Sequence, residues 1–446
     1  MDSNDASLNR ASFLEILGLK EVDRAGWKRS GLTNVESVAD HSWGVAFLAM
    51  QICPPELDRL RLLEMAICHD VAEVRIGDIT PHDDISTEEK IRIGLLVPLS
   101  GEHSEIGNSI LKSVRLAINK IDNQLLEIIP KDSQANPEIT LQNAKKLKDE
   151  GIKIIIGPVF NKNLIYLEEL NEIIFLSLTN KVINNPKNII SAGINATSQI
   201  NTIIKFKKLN DLNKTLFLIP KKNYKDEVEE AIKKSNIKIK KVYYYDSDPT
   251  KLTKQIEKVT RYPQRKQNLE DEIKRLENSD EEYKDLKIKK LEKKDTIGKI
   301  GFDSIVIADF DETLKSITTS LLYTDVSPKK VHFITLNQWF DESLLKEKSS
   351  QPIYFPSINK KNYEEFKTLY SKNFNEYPNQ LSFLSYDLVG LVYYLIAQNN
   401  FIIDQNIFVK KNKFKGKVGI FEINDKKISH VLNFYMVEDN NFKKIF

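Results

Sequence analysis

His41, His69, Asp70, Glu73 and Asp78 are residues whose types and spacing suit metal chemistry. His69 and Asp70 are adjacent in CHDVAEVRIGD, and Glu73 follows four and three residues later, so the three can share one helix face. Two imidazoles and a carboxylate from neighbouring helices suit a divalent transition metal. Glu73 and Asp78 are then free to act on a water or a substrate. A lone helical histidine such as His41 is more often a hydrogen-bonded core residue. An adjacent His-Asp pair in an otherwise apolar helix is harder to bury without partners.

The elements that would position these groups follow from apolar periodicity. Leu8–Gly18 reads as a short helix, Val35–Ile52 as a longer one carrying His41, and Leu57–Arg75 as a third carrying His69, Asp70 and Glu73, with Gly77 as its stop. At STEEKIRIGLLVPLSG a charged helical tail passes directly into an apolar run closed by Pro98 and Gly101. Such a run reads as a strand of a parallel sheet, and no flexible linker precedes it. From Ile91 onward strand and helix alternate: strands at 91–97, 126–129, 152–156, 173–178, 215–219, 240–245, 304–308 and 331–335, with helices between the early ones. That alternation predicts an α/β fold with helices on both faces of parallel sheets, and the number of strands predicts two lobes. Residues 262–295 interrupt the second lobe with a charged, helix-periodic insertion broken near Asn278, which reads as a helical hairpin. It suits a partner-binding arm or a solvated hairpin equally. The Lys-rich runs elsewhere read as solvated faces.

Composition bounds the function. A chain of 446 residues has room for two or three domains, and 41% hydrophobic with 29% charged residues is the balance of a globular protein. A net charge of +3 gives no support to a nucleic-acid or membrane-surface role. No apolar run approaches the roughly 20 residues that span a bilayer. MDSNDASLNR lacks the pattern of a signal peptide, so the chain is expected in the cytoplasm as encoded. Cys53 and Cys68 are expected as buried free thiols. Residues 1–90 hold six Arg and three Lys, whereas 91–446 hold five Arg and 52 Lys. Folding physics rarely distinguishes the two cations on an exposed face, so the switch points to two sequence histories joined at residue 90. A fusion without coherent function remains among the readings.

Residues 1–90 resemble the first part of the HD-domain phosphohydrolases, most closely the 5'-deoxynucleotidases. Arg24–Trp27 (R-x-G-W), Glu36–His41 (E-S-V-A-D-H), His69–Ile79 (H-D-x-A-E-x-x-x-G-D-I) and Glu88–Lys90 (E-E-K) carry the resemblance. It implies His41, His69 and Asp70 as metal ligands, Glu73 and Asp78 as assistants in hydrolysis, and Arg24 as a phosphate contact. A divalent metal such as Co²⁺ or Mn²⁺ would then generate hydroxide and polarise a phosphate monoester. The family takes a fourth ligand, an Asp, from a later helix, and here the pattern changes after Lys90.

Residues 91–446 resemble the type I periplasmic binding proteins of the branched-chain amino-acid receptor superfamily. Ile93–Gly101, Gly107–Asn119, Asp132–Pro137, Ile154–Val159, Leu384–Leu391 and Phe414–Ile423 carry this. The insertion entered through Val259–Tyr262 looks like the penicillin-binding-protein activator subgroup. The resemblance implies envelope relatives that act through a cell-wall synthesis protein or hold a small polar solute between their lobes. Carried over by position, Ser100, Gly101, Gly157, Phe160, Ser177 and Thr179 would line the first lobe, and Asn223, Tyr224 and Asp309 the second. Ser177 and Thr179 also read as ordinary strand-end residues. Where ligand-binding relatives place a Ser after the Gly-Pro turn this chain has Val159–Lys162, and where they have Tyr-Gly it has Tyr224-Lys225. These departures favour protein contacts.

The expectation is a two-lobed α/β binding domain, 91–446, preceded by an all-α truncated HD segment, 1–90. The function expected is non-enzymatic binding, with a metal-dependent phosphohydrolase acting on deoxynucleoside 5'-monophosphates as the alternative.

Overall fold

The computed structural model describes residues 16–71, 73–76, 78, 90–222 and 224–446. Most of the expected Leu8–Gly18 helix lies outside the described residues, as does Asn223. Packing divides the chain into two units, 1–90 and 91–446.

The first unit is helical. A 3₁₀ turn (Leu17–Glu21) leads to α1 (Ala25–Arg29), α2 (Val38–Ile52), α3 (Arg59–Cys68) and α4 (Glu73–Ile76). A capping box starts α2: the Asp40 amide donates to Ser37 Oγ at 3.1 Å, and the Ser37 amide donates to the Asp40 carboxylate at 3.2 Å. Asp58 caps α3 in the same sense, accepting from the Arg61 amide.

The single helix expected over Leu57–Arg75 is corrected to two. It stops at Cys68, and His69–Val71 form a turn whose amides bond three residues back, Val71 to Cys68 at 3.3 Å and Glu73 to Asp70 at 2.9 Å. At this turn His69 Nδ1 lies 2.8 Å from the Ala66 carbonyl and Asp70 lies 3.5 Å from Arg24. The buried thiols are also corrected: Cys53 is half-buried and Cys68 exposed, both free. Few side chains cover this unit's apolar surface; Trp43 is 71% exposed, Ile52 75% and Leu60 68%.

The second unit is built from β1 (Ile91–Val97), α5 (Ser104–Ile121), β2 (Leu126–Asp132), α6 (Pro137–Asp149), β3 (Ile154–Ile156), β4 (Ile174–Ser177), β5 (Ile189–Ser191) and α7 (Ala196–Leu209). It continues through β6 (Thr215–Pro220), α8 (Lys225–Ser235), β7 (Lys241–Tyr245), α9 (Pro249–Thr260), α10 (Tyr262–Glu277), α11 (Lys284–Leu291), β8 (Ser304–Ile307) and α12 (Asp311–Tyr323). It closes with β9 (His332–Thr335), α13 (Ser343–Lys346), β10 (Ile353–Ser357), α14 (Lys360–Phe374), α15 (Gln380–Gln398), β11 (Asn412–Lys415), β12 (Ile420–Asn424), β13 (Lys427–Val431), β14 (Asn433–Glu438) and β15 (Asn441–Lys444).

One lobe is a parallel sheet of order β2-β1-β3-β4-β5, the other a sheet of order β15-β14-β10-β9-β8-β6-β7 with antiparallel β14 and β15. A small antiparallel sheet, β11-β12-β13, stands beside them. The central strands are apolar on both faces because helices cover both: every β1 residue except Arg92 is buried. Helix α15 returns to the first lobe and packs on α5, where Ser113 Oγ donates to the Ser382 carbonyl. By length and hydropathy α15 could cross a bilayer, which the search for apolar runs missed; in the fold it is a core helix, 61% of its apolar window buried.

The insertion forms α10 and α11, packed on each other and broken at Asn278–Tyr283. Arg265 of α10 is buried at its root. It donates to the Thr324 carbonyl at 3.1 Å and to Thr296 Oγ1 at 2.6 Å, and pairs with Asp325 at 3.3 Å.

Candidate functional site

In the first unit, the capped start of α2 holds His41 one turn in, and the turn after α3 holds His69 and Asp70. His69 Nε2 lies 3.0 Å from Asp70 Oδ2 and His41 Nε2 lies 3.7 Å from the same oxygen. The potential ligand atoms of His41, His69 and Asp70 all lie within 4.8 Å of one another. His69 Nδ1 is 2.8 Å from the Ala66 carbonyl, which can only accept, so Nδ1 carries the hydrogen. A neutral His69 then turns a bare Nε2 lone pair towards a carboxylate oxygen at 3.0 Å. Two acceptors at that distance need a proton or a cation between them. Asp70 Oδ2 is buried with no hydrogen-bond partner, which the donor set of a divalent metal would satisfy.

Arg24 does not reach into open space as a free phosphate contact. Its Nη1 lies 3.1 Å from Asp78, 3.5 Å from Asp70 and 3.7 Å from Glu73, offsetting three carboxylates that would otherwise repel. The Ala25 amide donates to Asp78 at 2.6 Å and fixes it. Burial first, and then the Asp70 and Asp78 charges, push Glu73 up to about 7. That places it near the value useful to a general acid or base, and a bound dication would pull it back down.

In the second unit a cleft of about 960 Å³ opens between the lobes. Its walls are loops at the carboxyl ends of parallel strands: Val159–Lys162 after β3, Leu178–Lys181 after β4, Tyr224 after β6, Phe310 and Asp311 after β8, and Asn337–Trp339 after β9. One wall is fixed from the opposite lobe and another from within its own. Glu227 of α8 accepts from the Val182 and Ile183 amides, each at 3.0 Å. Gln199 accepts from the Asn337 amide at 2.9 Å. Trp339 and Phe340 are held in succession at φ 49° and 61°, a region bulky residues avoid. The Phe160 and His103 rings pack at a 45° tilt, 4.7 Å between centroids. Burial first, and then the Glu227 charge, hold the Tyr224 phenol well above its usual range; the hydroxyl makes no well-formed hydrogen bond within the protein.

Phe160, Thr179 and Tyr224 therefore line the cleft, while five other expected residues do not. Ser177 is fully buried and spends its hydroxyl on the Pro158 carbonyl at 2.9 Å. Asp309 is held by the Tyr245 hydroxyl at 2.7 Å and faces Lys222 at 3.7 Å. Ser100 donates to Asp132, and neighbouring Gly101 turns at φ 77°. Gly157 sits at φ 114°, where a Cβ would lie 2.1 Å from the Leu96 carbonyl oxygen; backbone approach requires that glycine. Sequence reasoning missed His103, Lys181, Gln199, Asn337 and Trp339. The strand-end rule applied to β9 would have found TLNQWF.

Comparison with known proteins follows the same division. Residues 17–93 match the HD domain family and residues 90–259 the periplasmic binding protein family. The 5'-deoxynucleotidase hdd1 of Schizosaccharomyces pombe is 42% identical over 88 residues, 20% of this chain and 44% of that protein. The human 5'-deoxynucleotidase HDDC2 is 43% identical over 81 residues, 18% of this chain and 40% of that protein. The chain thus spans less than half the length of both. Among solved structures, a Rhodospirillum rubrum protein assigned to branched-chain amino acid ABC transport aligns with TM-score 0.62 and 10% identity, covering 80% of this chain and all of that one. The C-domain of Haemophilus influenzae LpoA, a regulator of PBP1A, aligns at 0.54 and 16% identity over the same shares. A Desulfitobacterium hafniense substrate-binding protein complexed with Leu aligns at 0.53 and 13% identity, again 80% and 100%. At these identities the likeness establishes the two-lobed fold of 91–446.

Proposed function

We propose that the chain is a binding protein whose ligand or partner is taken by the two-lobed unit, as in receptors and regulators of that fold. The observation carrying this is the cleft, built from strand-end loops of both lobes and furnished with an unspent Tyr224 hydroxyl. Its lining, with Phe160 and Lys162 in place of a hydroxyl after the Gly-Pro turn, suits a polar group presented beside an apolar surface, from a small solute or a projecting loop of a cell-wall synthesis protein. Equilibrium binding read by Trp339 fluorescence tests it. Branched-chain and polar amino acids are titrated first, then the transglycosylase-transpeptidase class of wall enzyme. Tyr224→Phe and Thr179→Val are expected to weaken the ligand that binds by about tenfold each. A chain that binds neither class overturns the reading.

The His41–His69–Asp70 convergence favours a second activity in the first unit, hydrolysis of deoxynucleoside 5'-monophosphates. The three would hold a divalent metal, which supplies a hydroxide near neutral pH. Glu73 would accept or return the proton of the attacking water, and Arg24 would hold Asp70 and Asp78 in place. Phosphate release with added Co²⁺ or Mn²⁺ tests this. Release that disappears in His69→Ala supports it, and none above the metal-only blank removes it.

A further inference from the structure

A second cavity, of about 890 Å³, lies outside the cleft. It is walled by the segment before β5, the start of α7 and the β11-β12-β13 sheet. Six lysines and two acids line it. Two lysines spend their charge on those acids, Lys413 on Glu422 at 2.7 Å and Lys427 on Asp425 at 3.9 Å. Lys234 pairs along its own helix with Glu230 at 3.3 Å. Lys187, Lys411 and Lys426 have no ion pair among the described residues. Three unneutralised ammonium groups from three separate segments therefore share one concavity.

A second feature adds the same sign. Asn195 and Thr197, the N-cap and first turn of the long helix α7, are also in the wall, so the positive end of that helix dipole faces the cavity. The remaining polar lining is mostly Asn and Ser, which hydrogen-bond oxyanions without adding negative charge. Lys187 and Lys411 are exposed and Lys426 half-buried, and all three border one open concavity large enough for an extended ligand.

We infer that the concavity between α7 and the β11-β12-β13 sheet is a binding site for an oligoanion bearing several closely spaced phosphate groups. Lysine ammoniums act as point charges on such groups, and the cavity holds more than one of them. This stands beside the cleft reading and does not rest on it. A free oligophosphate and a phosphate-bearing polysaccharide present the same chemistry.

Titration calorimetry of the full chain with sodium tripolyphosphate, at low and at physiological salt, is the direct test, with sedimentation on phosphorylated dextran as the polymer arm. The variant Lys187→Gln/Lys411→Gln/Lys426→Gln is compared with Lys289→Gln/Lys290→Gln/Lys361→Gln, which removes the same charge from sites outside the cavity lining. Binding that weakens with salt, falls at least about tenfold in the first variant and changes less than about threefold in the second supports the site. The arm that binds more tightly identifies free or polymer-borne phosphate. Absence of binding at low salt in both arms, or equal losses in the two variants, overturns it. Melting curves confirm that both variants remain folded.

Discussion

His430 and Asp387 are both fully buried, and they pull stability in opposite directions with pH. Burial brings His430 down to about 4, although its ring bonds the Ala192 carbonyl at 2.8 Å. The folded chain holds it neutral, so its contribution is complete above the unfolded value near 6.5 and is lost as pH falls through 4. Burial pushes Asp387 up to about 7 against the Lys417 and Val418 amides, the latter donating at 2.6 Å. The folded chain prefers that carboxyl protonated, so a penalty absent below about 4 grows through neutrality. Between about pH 4 and 6.5 the two slopes, each about 1.4 kcal/mol per pH unit, cancel. Urea unfolding against pH should therefore show His430→Asn with stability falling across that window, and Asp387→Asn with stability rising. Parallel profiles for wild type and either variant would contradict the assignment. The same carboxylate explains Gly416: a Cβ there would lie 2.2 Å from Asp387 Oδ2, so Gly416→Ala should cost roughly 2 kcal/mol in the same assay.

Among the elements, the insertion shows both what the sequence displays and what it hides. Helix, break and helix at 262–295 are visible in the charge and leucine spacing, and α10 and α11 follow it. Arg265, in YPQRKQ, reads as one more surface cation, yet it is 3% exposed. Its partners Thr296, Thr324 and Asp325 arrive 30 to 60 residues later, beyond any local pattern. Removing it takes the buried guanidinium from the Thr324 carbonyl and Thr296 Oγ1, and leaves Asp325 to Thr296 and Lys330 alone. Arg265→Ala should cost about 3 kcal/mol or more in urea unfolding, and Arg265→Lys should recover little because one ammonium cannot serve three directions. Strand and helix alternation elsewhere was legible for the same reason: apolar runs and caps are local. The cleft residues Gln199, Asn337 and Trp339 were not, because the bond that joins Gln199 to the Asn337 loop spans 138 residues of sequence. The break at His69 was hidden too, since periodicity runs through CHDVAEV while the partners of the His-Asp pair stand on other segments.

At the scale of the whole molecule, the two units differ in how completely each buries its own apolar surface. Residues 91–446 enclose their large aromatics: Phe175, Phe217, Phe333, Phe355, Phe366 and Phe434 are fully buried. In the first unit Leu19, Val38, Ala49 and Ala66 are the buried apolar side chains among the described residues, while Trp43, Ile52, Leu60 and Met65 are largely exposed. A core of that size contributes little against the entropy of ordering the chain. The 91–446 unit should accordingly survive limited proteolysis as a fragment with its own cooperative melt, while the 1–90 segment is degraded. An apolar dye such as ANS should fluoresce with the full chain and dim when only 91–446 remains. If divalent metal, added before the protease, protects 1–90, the His41–His69–Asp70 centre organises its unit and the phosphohydrolase reading gains ground. Equal digestion with and without metal, beside an intact 91–446 fragment, would leave binding by the two-lobed unit as the activity this chain retains.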